Sequence, residues 1–206
     1  MTRVISYVDG FNLYFGLRHK GWRKYYWLDL VALSRELLKP DQTLHGVHYF
    51  TTRIRDNGHN GQDMRRQGTY LEALGTLPGI TLHFGHYLEK PRQCRRCGNT
   101  WMDYEEKMTD VNIAVQLLAD AFDDRFDTAL LISADSDLTT PVQQVRARFP
   151  EKRIVVAQPP ARQSASLTKA ANGYFTVGEA KLRQTQLPSV VRRQDGFELH
   201  RPEYWK

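Results

Sequence analysis

Two apolar runs in this chain end directly in aspartate. Val4-Ile5-Ser6-Tyr7-Val8 runs into Asp9-Gly10, and Leu130-Leu131-Ile132-Ser133-Ala134 runs into Asp135, with Asp137 two residues on. Asp110 shares the helical stripe of Ile113, Ala114, Leu117, Leu118 and Ala121 when spacings of three and four are counted back. A carboxylate on a face that packs against a sheet is costly unless a cation or hydrogen-bond donors meet it. Carboxylates gathered at one edge also raise one another's pKa, and a divalent cation removes that penalty. Hard oxygen ligands select Mg²⁺ or Mn²⁺ over softer metals. Such an ion activates water and stabilises in-line displacement at phosphorus, the chemistry of phosphodiester hydrolysis. Each acid also has a plain reading of its own. Asp137 could cap a helix, Asp9 could serve a turn before Gly10, and Asp110 could favour a helix macrodipole. Their coincidence at one sheet edge is what points to a shared metal.

A second constellation is Cys94-Arg95-Arg96-Cys97-Gly98, half of a zinc-ribbon pattern. Zinc takes four ligands, and these are the chain's two cysteines. His86 is the favoured third ligand and His83 the other. Asp103, or a neighbouring subunit in a homodimer, could complete the set. Two free thiols are the alternative. One CxxC excludes a disulfide framework, and no strand-to-helix setting supports a redox role.

The elements that must position these residues alternate between strand and helix patterns. Strands are expected over residues 4–8, 44–54, 80–88, 128–133, 153–157 and 174–177. Helices are expected over 11–17, 28–38, 62–77, 104–122, 138–149 and 164–171. Polar loops fall at 55–61 and at 89–101, the latter holding the CxxC. Alternating βα units predict an α/β fold, Rossmann-like, with a mainly parallel sheet and helices on both faces. Ligands of such sheets bind beyond the carboxyl ends of the strands, where Asp9 and Asp135 fall. Regularity fades after Gly178, so residues 1–177 are expected to form the domain, with a loop insertion at 89–102. Residues 178–206 would be an extension that packs on the domain or on a partner.

Charge is divided unevenly. Residues 103–137 hold ten acids against Lys107 and Arg125, a net of −8, while the remainder nets +14. An acidic centre within a basic body suits a metal site served by a polyanion-binding surface. Asp120, Asp123, Asp124 and Asp127 are expected to be solvated. Loop cations such as Arg53, Arg55, Arg65, Arg66, Lys90 and Arg92 could contact phosphates. Tyr14, Tyr25, Tyr26 and Trp27 could stack on unpaired bases. No apolar run reaches membrane-spanning length and no signal-peptide core opens the chain, so a cytoplasmic location is expected.

Three segments together resemble one family. Tyr7-Val8-Asp9-Gly10-Phe11-Asn12, Glu106-Lys107-Met108-Thr109-Asp110-Val111 and Leu131-Ile132-Ser133-Ala134-Asp135-Ser136-Asp137 are similar, in family order, to the motifs of NYN domains. These are the LabA-like (DUF88) branch of the PIN-like nucleases. The resemblance implies a PIN fold and Mg²⁺-dependent ribonuclease activity on RNA. By position, Asp9, Asp110, Asp135 and Asp137 would form the acidic metal site. Asn12 would orient it or touch phosphate, Lys107 would bind the scissile phosphate, and Ser133 would support the carboxylates. The competing readings are an RNA-binding or regulatory module that kept the scaffold, and a phosphatase using Asp9 as nucleophile. No G-x-G-x-x-G follows the first strand, which disfavours a dinucleotide oxidoreductase.

Overall fold

The computed structural model describes residues 1–56 and 58–206. Asn57, within the loop expected at 55–61, lies outside the described residues. Six strands form the central sheet: β1 (Thr2–Asp9), β2 (Gln42–Thr51), β3 (Ile80–Phe84), β6 (Thr128–Ile132), β7 (Arg153–Gln158) and β8 (Gly173–Thr176). Their order is β3-β2-β1-β6-β7-β8 and every neighbouring pair is parallel. The chain winds outward one way from β1 and the other way from β6. The crevice where winding reverses therefore lies between these two strands, the usual ligand position in such sheets.

Alternation along β1 assigns its side chains to two cores. Val4 and Val8 pack under α1 (Gly10–His19), α2 (Leu30–Glu36) and α3 (Gly61–Gly75), with Leu13, Leu17, Leu33 and Leu74. Ile5 and Tyr7 pack on the other face under α4 (Thr109–Phe122), α5 (Thr139–Arg148) and α6 (Ala165–Ala170), with Ile113, Leu117 and Val145. Every residue of β6 is buried, as expected of a strand covered on both faces. Asp9 has the parity of Ile5 and Tyr7, so it faces the α4 side.

The structure revises the expected elements between residues 80 and 122. The strand placed at 80–88 divides at Gly85. The expected CxxC loop is instead an antiparallel ribbon of β4 (His86–Gln93) and β5 (Thr100–Lys107), and α4 starts at Thr109 rather than at 104. A Cβ at Gly85 would stand 2.6 Å from the Lys107 carbonyl oxygen and 2.7 Å from Thr52 Oγ1. Only glycine lets the ribbon's end lie this close to β2.

After β8 the chain forms α7 (Glu179–Gln184), a hairpin of β9 (Val190–Arg192) and β10 (Glu198–His200), and a 3₁₀ turn at Glu203–Trp205. Leu187, Val191, Leu199 and Trp205 bury against Trp27 and Ala73. This segment packs on the domain. Among the described residues no helix is long and apolar enough to cross a membrane.

Candidate active site

Asp9 ends β1 and is 2% exposed. One carboxylate oxygen accepts the Asn12 backbone N–H at 2.9 Å, capping α1, and the other accepts Ser133 Oγ at 2.8 Å. A Cβ on the following Gly10 would sit 2.6 Å from the Phe50 carbonyl oxygen and 2.8 Å from the Tyr49 hydroxyl, so the turn out of β1 has room only for glycine. Ser133 lies just past β6 with the parity of Leu131, on Asp9's side of the sheet. Its Oγ also accepts the Asp135 N–H at 3.0 Å, tying the two acids through one hydroxyl. Asn12 spans the same gap. Its Nδ2 lies 3.5 Å from Asp135 Oδ2, and its Oδ1 accepts the Ala134 N–H at 3.2 Å.

Asp110 arrives from the first turn of α4, on the stripe that continues through Ile113, Leu117 and Ala121. Met108 takes a left-handed φ of 80° to enter the helix, and the Glu106 carboxylate accepts both the N–H and the hydroxyl of Thr109. Thr52 Oγ1, at the end of β2, donates to the same Glu106 oxygen at 3.2 Å. Asp9, Asp110 and Asp135 each offer a carboxylate oxygen within 4.8 Å of the others, a set able to hold a metal ion. Burial pushes Asp9 up to about 6, against the hydrogen bonds from Asn12 and Ser133. Burial, then the charges of Asp9, Asp135, Glu106 and Asp137, push Asp110 up to about 7. Three acids held this close favour protonation unless a cation joins them.

The other residues expected at the site are placed differently. Asp137 is exposed and stands outside the three-carboxylate group, and its N–H donates to Asp135 Oδ1 at 3.0 Å. Asp135, not Asp137, caps the turn that follows β6. Lys107 pairs with an acid of its own strand. Strand alternation sets it with Glu105, which accepts its Nζ at 2.6 Å, on the face of β5 opposite Glu106. The zinc expectation on His86 is corrected. His86 opens β4 and Cys94 follows its far end, so at ~3.3 Å per residue they lie about 25 Å apart. Cys94 and Cys97 sit in the ribbon's end turn, where N–H groups of Cys97 and Arg96 lower the Cys94 thiol's pKa. Among the described residues no third His, Cys, Asp or Glu joins them.

Two features were not anticipated. Arg162, in the loop after β7, reaches over the sheet edge and places Nε 3.5 Å from Asn12 Oδ1. It follows the carboxyl end of a parallel strand, so the rule that singled out Asp9 and Asp135 could have found it. Asp120, expected to be solvated, is 3% exposed. Burial works to raise its pKa, but bonds from His48, Tyr7 and Gln116 outweigh that and hold it low. His83 continues this network through His48 at 2.9 Å. Asp124 and Asp127 pair with Arg3, and Asp124 also with Lys152. Several cations expected to meet phosphate are likewise paired: Arg55 with Glu89, Lys90 with Glu105, and Arg92 with Asp103.

Between α1 and α3, on the face of the sheet away from α4, lies a cavity of about 300 Å³ with aromatic walls, reached at the sheet edge by Gly10, the residue after Asp9. Tyr14, Tyr25 and Tyr26 line it, while Trp27 is fully buried in the core and donates Nε1 to the Pro188 carbonyl.

A sequence profile of the NYN domain matches residues 3–179. The 6-hydroxy-3-succinoylpyridine 3-monooxygenase HspA of Pseudomonas putida (strain S16) is 29% identical, over 92% of this chain and 71% of that protein. The crystal structure of a protein of unknown function from Vibrio parahaemolyticus superposes with a TM-score of 0.53 at 19% identity, over 90% of this chain and 96% of that one. That likeness supports the fold alone.

Proposed function

The chain belongs to the NYN domain family, and from that premise we propose that it is a metal-dependent ribonuclease that hydrolyses RNA phosphodiester bonds. The observation that carries the reading is the meeting of Asp9, Asp110 and Asp135, from three separate segments, at the sheet's winding reversal. These three carboxylates would hold Mg²⁺ or Mn²⁺. When bound, such an ion acidifies water and offsets the charge that builds on phosphorus. Ser133 and Asn12 hold Asp9 and Asp135 in place. Arg162 lies where a guanidinium can take phosphate oxygens, a part the family resemblance implied for Lys107. In the reaction a water molecule would give up one proton to solvent as its oxygen bonds to phosphorus, the bond from phosphorus to one ribose oxygen would break, and that oxygen would take up a proton from solvent.

Incubation with total RNA, with Mg²⁺ or with EDTA, tests the reading. Asp9→Asn and Asp135→Asn are each expected to slow cleavage by roughly 10²-fold or more, since such a centre supplies several kcal/mol to the transition state. Their far-UV circular dichroism should match wild type. Full cleavage in EDTA, or in both variants, would overturn the assignment and leave an RNA-binding module.

The Pseudomonas relative, named as a monooxygenase of a substituted pyridine, offers a second reading. The aromatic cavity favours it, because a flat heterocycle fits there. It would insert one oxygen atom of O₂ into a bond from a ring carbon to its substituent and reduce the other to water with two electrons and two protons, supplied by a reductant such as a dinucleotide. Against it, Asp9-Gly10-Phe11-Asn12 puts a buried carboxylate where a glycine-rich turn would receive a dinucleotide's pyrophosphate. Pyridine-dependent oxygen uptake without metal-dependent RNA cleavage would reverse the preference.

A further inference from the structure

The cavity between α1 and α3 has a run of contacting aromatic rings in its wall. Ring centroids run from Tyr14 to Tyr26 at 5.1 Å, from Tyr26 to Trp205 at 5.7 Å, and from Trp205 to Tyr70 at 6.0 Å. The last turn of the chain supplies part of it. Tyr204 stands at the rim with the guanidinium of Arg23 3.8 Å and that of Arg66 4.4 Å from its ring centroid. Positive charge from Arg18 and Arg23 also acts on Tyr26. Two lining residues lead straight to the acids. Gly10 adjoins Asp9, and Thr52 donates to Glu106, which holds the Thr109 end of the Asp110 helix.

We propose that this cavity receives a single unpaired base of the RNA strand while the adjoining phosphate lies over Asp9, Asp110 and Asp135. The inference rests on the nuclease reading. Stacking on aromatic faces is the sequence-tolerant way in which proteins hold unpaired bases, and every base offers such a face. Arg66 is paired with Asp63, and the charge of Arg18 and Arg23 near the rim suits the phosphates that flank the base. At about 300 Å³ the space is at the lower end of the range for ligand sites and takes one ring system with its sugar. A base still paired to its complement cannot enter between α1 and α3, so the cavity selects single-stranded segments.

The test reads binding apart from cleavage. Adenosine is titrated into the full chain in EDTA while tryptophan fluorescence is followed, with benzoate as a flat ring lacking base edges. Adenosine is expected to quench the emission. Tyr14→Ala and Tyr204→Ala, both at partly exposed positions, are expected to weaken its binding by about tenfold or more. Asp9→Asn should bind adenosine as wild type does. An RNA with one abasic residue should lose cleavage next to that residue. The proposal is overturned if adenosine does not bind, if both tyrosine variants bind it as tightly as wild type, or if benzoate binds equally well. Adenosine binding with the expected variant losses, in a protein that cleaves no RNA, would keep the base site and remove the nuclease reading instead.

Discussion

Asp9 and Asp110 are held by the fold in surroundings that resist their ionisation, and the consequence is a stability that depends on pH and on metal. Burial raises Asp9 to about 6, and burial with neighbouring acids raises Asp110 to about 7. Both lie above the value of ~4 for a carboxyl in an unfolded chain. The folded, metal-free protein therefore keeps these protons more tightly than the unfolded chain. That contribution is complete below about pH 4 and is lost as pH rises through 6 and 7. Thermal melts in EDTA should fall between pH 5 and pH 8, and Mg²⁺ should recover the loss at pH 8 far more than at pH 5. Asp9→Asn should raise the metal-free melting point at pH 8, with about 2–3 kcal/mol as the scale for a buried group shifted by roughly two units, and should cancel most of the gain from Mg²⁺. Ser133→Ala removes the hydroxyl shared by Asp9 and Asp135 and should cost about 1–3 kcal/mol, read by chemical denaturation. Asp9, Asp110 and Asp135 were legible from sequence because each breaks a rule that apolar neighbours make visible, a carboxylate ending a buried strand or interrupting a helix stripe. Arg162 follows Pro159-Pro160 in a loop without periodicity, so the one signal that could have singled it out is its place after the carboxyl end of a parallel strand.

At the level of elements, the ribbon of β4 and β5 decides how α4 enters the fold. Glu106, next to last in β5, holds the first residue of α4, while Gly85 lets that junction nest against Thr52. A methyl group at Gly85 would meet the Lys107 carbonyl oxygen at 2.6 Å and Glu106 Oε1 at 2.8 Å. Gly85→Ala should therefore displace the start of α4, destabilise the chain by about 1–3 kcal/mol, and weaken Mg²⁺ binding at the acidic centre, measured by calorimetry. The turn at the ribbon's far end should matter much less. A double Cys94→Ser, Cys97→Ser variant is expected to stay within about 0.5 kcal/mol of wild type, with or without chelator, because the two thiols find no further ligand among the described residues. The ribbon escaped the sequence reading for a physical reason. It buries neither face, so its residues lack the alternation that marks a half-buried strand. The parallel strands β1 and β6 were legible because burial on both faces makes them continuous apolar runs, broken only by Ser6 in β1.

Across the whole molecule, the terminal segment is a structural part of the domain. Trp205 is 8% exposed and packs on Trp27, Tyr26 and Tyr70. Trp205→Ala should cost about 3–5 kcal/mol in equilibrium unfolding, as for large aromatic deletions in cores. The sequence showed only scattered aromatics in this region, since elements of three to six residues are too short to display a period. The central place of β1 has one more outcome, in time rather than in space. The first strand is flanked by β2 and by β6, whose pairing residues begin 124 positions later at Thr128. A ribosome adding 5–20 residues per second needs roughly 6–25 s to go from Asp9 to Asp135. Throughout that interval the emerging polypeptide owns only part of its acidic pocket, so whatever chemistry the pocket performs is withheld from the message being translated until Asp135 has been added.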